Sequence, residues 1–338
     1  MADYIIMFGI LAFLAFMLMF KAEYMPNGNG AFFDRHNSKA MRGFWSIIVI
    51  LVHIPQPYQN TIQDMIGSFA YIGVTFFFMT SGYGLSVGVQ GKPDSIKRFW
   101  RARLPKLLIP NWITNAVFAL LLFALCGGSL GGILNINRWV VWLLGCYLAF
   151  WIGYRFPWKA KLRRGIVCCL VFVLSITVYI LQKLGLVQTV TWCTEVFGFI
   201  WGMLLFAGYE KCKAFAARKW MVKVSAACLI SLVLGVSYLL GKGIAFWGDY
   251  VLKVLLGLSI LSFILLLNAK VRIGNKLSSA LGDISFEIFL AHVPVFQIVE
   301  KVFPGLGSGA FILLTLGATV LFAAILHNLS SILLKKLK

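Results

Sequence analysis

A chain of 338 residues that is 60% hydrophobic and only 12% charged, with a mean hydropathy of +0.88, has too little polar surface for a soluble globule and reads as a polytopic membrane protein. Its net charge of +20 looks like a nucleic-acid signal until the basic residues are placed. No soluble basic domain exists to hold a duplex, so nucleic acid is excluded as a partner.

In chain order, apolar runs long enough to span fall at 4–20, 43–57, 66–90, 107–126, 138–154, 166–184, 190–208, 220–240, 247–269, 282–303 and 311–334. They predict an all-α bundle of about eleven transmembrane helices. The first run lacks a basic leader and a small-residue cleavage site, and is read as a retained span. Of the 31 basic residues, 26 fall on alternate connections: 21–42, 92–106, 155–164, 211–223, 270–276 and the tail from Lys335. The excess of Lys and Arg on one side predicts an outer N-terminus and a cytoplasmic C-terminus, in the plasma membrane. The outer connections, such as 126–137, are short and carry few charges. Gly84/Gly88 and Gly198/Gly202 place small residues one turn apart, which suits close helix packing. The seven cysteines are scattered without a C-x-x-C pair, so neither a disulfide framework nor a metal site is expected.

The run "MRGFWSIIVILVHIPQP" at 41–57 is the first with unusual chemistry. Arg42 and His53 are eleven residues apart, close to three helical turns, so both project from one face about 16 Å apart along the axis. Pro55 and Pro57 end the helix after about 22 Å, short of the roughly 30 Å hydrocarbon core, leaving a recess on the outer side. A buried His53 is expected to be neutral and able to accept a proton, as a general base must. The next run, "YIGVTFFFMTSGYGLSVG", returns to the cytoplasm and leads into six basic residues between Lys92 and Lys106. Arginine forks there suit phosphate oxygens.

Arg42-x10-His53, "YIGVTFFFMTSGY", the basic run leading to Pro110, and "LGDISFEIFLAHVPV" at 281–295 occur in series. Together they resemble the acyltransferase-3 family of integral membrane O-acyltransferases over residues 40–335. The resemblance implies a ten-helix core at 41–338, preceded by an extra N-terminal transmembrane helix and cytoplasmic loop at 1–40. It also implies transfer of an acyl group, usually acetyl, from cytoplasmic acyl-CoA (acetyl-CoA) to a hydroxyl of a cell-surface or other extracytoplasmic glycan. By that likeness His53 is the catalytic histidine and Arg42 its partner. The family's R-x-x-R fits either Arg98 with Arg101 or Arg103 with Lys106. Ser81-Gly82-Tyr83 matches its S-G-[FY] signature, a candidate donor contact or a close-packed helix contact.

Among other ionisable groups within apolar runs, His292, Glu195 and Glu287 are candidates for the catalytic set. Ser285 and His292, seven residues apart, share a face that Glu287 does not. Glu195 could orient or pair with a histidine. Asp64 and Asp249, at outer ends, read mainly as caps. The partners implied are membrane lipid, acyl-CoA and a glycan. The alternative is a transporter or flippase of lipid-linked sugars without acyl transfer, against which no internal repeat is evident.

Overall fold

The computed structural model describes residues 2–30, 32–60, 66–189 and 191–337. Its helices in chain order are α1 (Ala2–Met19), α2 (Arg35–Val52), α3 (Tyr71–Gly91), α4 (Phe99–Cys126), α5 (Arg138–Arg155), α6 (Ala160–Lys183), α7 (Phe197–Ala207), α8 (Tyr209–Ala217), α9 (Trp220–Gly241), α10 (Lys253–Asn268), α11 (Lys276–Asp283), α12 (Ser285–Val302) and α13 (Ser308–Lys336). An all-α membrane protein is what the sequence predicts and what the fold is, apart from one antiparallel pair of two-residue strands, β1 (Glu23–Tyr24) and β2 (Val271–Arg272).

Among the described residues, six helices are long and apolar enough alone to cross a bilayer: α3, α4, α6, α9, α10 with its preceding turn, and α13. A seventh is added if α11 and α12, bent by 75°, act as one span. That count does not bear out eleven. The shortfall has physical causes. The first turns of α2 carry Arg35, Lys39 and Arg42, so its apolar part is short. In the run 190–208 only Phe197–Ala207 is helical.

Local chemistry sets the helix ends that matter here. Asp34 caps α2, accepting from the Asn37 amide at 2.8 Å, so the helix starts well before its apolar stretch. It ends at Val52, and Pro55 follows in a short turn. The expected boundary at residue 40 therefore falls inside α2. The basic run 92–106 is not wholly a loop either: α4 begins at Phe99 and continues through Pro105 and Pro110. Two contacts are made backbone to backbone. On α2 an added Cβ at Gly43 would overlap the Ser278 carbonyl of α11, and on α7 Gly198 and Gly202 lie against the carbonyls of Thr75 and Met79 on α3.

The connection after α4 is more than a short outer loop. Asn115 donates to the carbonyls of Ile133 and Asn135 at 3.1 and 2.7 Å, and the Trp112 indole to Leu134 at 3.0 Å. The connection is thereby folded back along α4. Asn111 then accepts from the Asn137 amide at 2.9 Å, and Asn137 caps the Trp139 amide at 2.9 Å. α5 thus starts level with the middle of α4, which opens a recess between α2, α3, α4, α5 and α12.

Candidate active site

His53 occupies the C-terminal cap of α2, where its Nδ1 lies 2.8 Å from the Val49 carbonyl. A carbonyl can only accept, so Nδ1 carries the proton and Nε2 presents its lone pair. Contrary to the sequence-based expectation of burial, the imidazole is exposed. The helix stops one residue before it, and the chain turns away at Pro55, which leaves the ring open on one side. The buried imidazole is His292 on α12, only 4% exposed. Its Nδ1 donates to the Ile288 carbonyl at 3.3 Å, and its Nε2 has no hydrogen-bond partner among the described residues. The two rings meet with centroids 4.9 Å apart, inclined by 64°. Residues far apart in the chain form one imidazole pair.

Arg42 lies on α2 towards the end of the molecule that carries the basic connections. One turn back, Lys39 pairs with Asp283 at 2.5 Å. The Arg42 Nε is buried without a hydrogen-bond partner among the described residues, and the side chain lines two adjoining cavities. The wider, about 560 Å³, is the mouth, where Asp34, Arg35, Ser38, Tyr83 and Arg103 join Arg42. The narrower, about 150 Å³, continues inward past Ser81, Tyr147 and Trp139 to Ser285, Phe286 and Phe289. The Phe289 ring is in turn 5.7 Å from His292. Mouth, chamber, Phe289 and the imidazole pair form a series from one end of α2 to the other.

The remaining sequence candidates separate by placement. Of the basic run only Arg103 lines the mouth; Arg98, Arg101 and Lys106 are exposed elsewhere on α4 and its cap. Ser81 and Tyr83 face the cavities, but Gly82 faces α7, where an added Cβ would overlap the Phe199 carbonyl. Gly84 lines the mouth rather than a helix contact. Glu195 pairs with no histidine: it is buried, bound to Lys253 Nζ at 2.7 Å and to the Thr194 hydroxyl at 2.9 Å. Glu287 accepts from Nδ1 of His327 on α13 at 3.1 Å. Asp249 accepts from the Phe246 amide at 2.8 Å, as a cap does, and pairs with Lys183. Asp64 lies outside the described residues. No group of three or more His, Cys, Asp or Glu among the described residues stands ready to hold a metal ion.

Sequence reasoning passed over Arg35, Trp139, Tyr147 and His327. Arg35 was legible, since it lies two turns before Arg42 on the same face. The others carry no local signal.

The comparisons with known proteins place the chain in a family. The family model described as "Acyltransferase domain" (Acyl_transf_3) matches residues 35–328, beginning at the first residue of α2. Acyltransferase MdmB of Streptomyces mycarofaciens is 26% identical over 156 residues, 37% of this chain and 40% of that protein. The chain thus covers well under two thirds of that relative's length. No solved structure matches the chain.

Proposed function

The chain belongs to the acyltransferase-3 family, and from that premise we propose that it moves an acyl group, acetyl in the first instance, from cytoplasmic acyl-CoA to a hydroxyl of an extracytoplasmic glycan. The observation that supports this reading is the lone pair of His53 Nε2, left free by the Nδ1 contact with the Val49 carbonyl, on the same helix as Arg35 and Arg42, which with Arg103 line the mouth of the recess. Phe289 at the inner end of the recess and then His292 lie between. The basic mouth is suited to the phosphates of CoA. The chamber takes the thin pantetheine arm, which brings the thioester past Phe289 towards the imidazole pair.

An acceptor alcohol arriving at the exposed His53 gives its proton to Nε2 as its oxygen bonds to the thioester carbonyl carbon. The tetrahedral adduct collapses with cleavage of the C–S bond, and the departing sulfur takes the proton from the imidazolium. One ester forms, one thioester is lost, and His53 ends neutral. CoA supplies the activated acyl group; the protein supplies position and the base. In this reading the bundle crosses the plasma membrane eleven times, with its basic end in the cytoplasm.

Replacing His53 by Ala should lower glycan acylation by purified protein at least 100-fold while CoA binding persists. Activity within a few-fold of the parent would end the proposal.

A further inference from the structure

Resting on acyl-CoA as the donor, we propose that the inner chamber is an amide-recognition site for the pantetheine arm, with the indole N–H of Trp139 donating to one of its amide carbonyls. Trp139 is 4% exposed, and its Nε1 is buried with no acceptor among the described residues. An unmet buried donor of this kind is destabilising, and a ligand carbonyl removes that penalty. The residue is firmly set: its backbone N–H is capped by Asn137, which Asn111 holds, and its ring lies 4.7 Å from that of Phe289 and 5.7 Å from that of Phe78.

The other polar groups of the chamber complete the match. Thr80 and Ser81 both donate to the Phe77 carbonyl, at 3.0 and 2.9 Å, and Ser285 donates to the Gly282 carbonyl at 3.0 Å. With their protons committed, Thr80 and Ser285 offer the chamber lone pairs, while the Ser81 hydroxyl also meets that of Tyr147. Arg42 Nε adds a second unmet donor on the same cavity. Donors and acceptors thus alternate within walls of Phe77, Phe286 and Phe289. A plain hydrocarbon chain would leave both donors unmet. A secondary amide brings one N–H and one C=O, and pantetheine carries two such amides on a thin chain. A carbonyl bonded at Trp139 leaves the shorter, sulfur-bearing end of the arm pointing past Phe289 towards His292.

Binding by the full-length protein in detergent tests this. The probes are CoA, adenosine 3′,5′-bisphosphate, and CoA analogues in which each pantetheine amide is replaced in turn by a trans-alkene. On the parent protein, one analogue should bind about tenfold more weakly than CoA. Trp139→Phe should bind CoA about tenfold more weakly, bind the bisphosphate normally, and no longer discriminate against that analogue. Normal CoA binding by Trp139→Phe overturns the amide site and leaves acyl-CoA as donor intact. If the variant does not fold, seen as lost bisphosphate binding, the analogues on the parent protein decide alone; equal affinity for both analogues and CoA overturns the site. A parent protein that binds neither CoA nor the bisphosphate removes the donor reading, and the site with it.

Discussion

Arg103 reaches the mouth because Gly88 of the facing helix has no side chain: a Cβ there would stand 3.2 Å from the guanidinium. Arg98, at the cap of α4, is exposed and touches neither cavity. A phosphate bound in the mouth therefore meets Arg103 and not Arg98. Arg103→Ala should raise the Kd for CoA about tenfold, the scale of one charge-assisted hydrogen bond, whereas Arg98→Ala should change it less than twofold. Equal losses from the two would detach the basic mouth from the donor. At this scale the sequence was informative where neighbours share a helix and silent where they do not. Helical periodicity brings Arg42 and His53 to one face. No periodicity brings His292 to His53 or Lys253 to Glu195, because those meetings depend on how helices pack. Glu195 illustrates the cost of missing a partner: a buried carboxylate looks catalytic until its ammonium is found across the bundle.

Helix packing explains why the chamber keeps its shape. α3 lines it with Thr80 and Ser81 and turns the face holding Gly82 to α7, where Gly198 and Gly202 return the contact. At these glycines carbonyl oxygens of one helix sit where a Cβ of the other would be, so the approach is fixed by backbone and cannot relax by a rotamer change. Gly202→Ala should destabilise the protein by about 1–3 kcal/mol, seen as a lower midpoint of thermal unfolding in detergent. Gly84→Ala, with open space at its Cβ, should leave the midpoint unchanged. A Gly202→Ala variant as stable as the parent would show that the α3–α7 contact yields. Spacing identified the small residues of α7 correctly, but on α3 it chose Gly84 and Gly88, which face the mouth and Arg103, over Gly82, which makes the contact. A small residue can serve a helix or a cavity, and the sequence does not say which.

For the molecule as a whole, two contacts of α1 determine where the chain ends lie. Asn275, which also caps α11 through its Oδ1, donates from Nδ2 to the Phe16 carbonyl at 3.1 Å, tying the C-terminal end of α1 to the α10–α11 connection. β1 pairs with β2 at that same end. At its other end Ile6 lies against Gly309, at the start of α13. α1 and α13 therefore run in the same direction, and the N-terminus and the last turn of α13 sit at opposite ends of the bundle. If those two ends face opposite sides of a bilayer, the number of crossings is odd, and the six long helices alone are not the full set. The bent α11–α12 pair makes seven; the eleven crossings proposed above need α1, α2, α5 and α7 as well, each too short or too polar to qualify by length and hydropathy. Short spans of this kind suit a protein that keeps a recess open, because a helix facing a cavity or its neighbours need not match the lipid thickness. In the proposed orientation the basic connections lie on the inner face. A fluorescent reporter on the C-terminus should be protected from external protease, whereas a single cysteine at Gly305, in an otherwise cysteine-free protein, should react with an impermeant maleimide added to intact cells. A cysteine in place of Lys219 should react only after lysis. Labelling of Gly305 and Lys219 from the same side would break the alternation and, with it, the assignment of the basic mouth to the compartment that holds acyl-CoA.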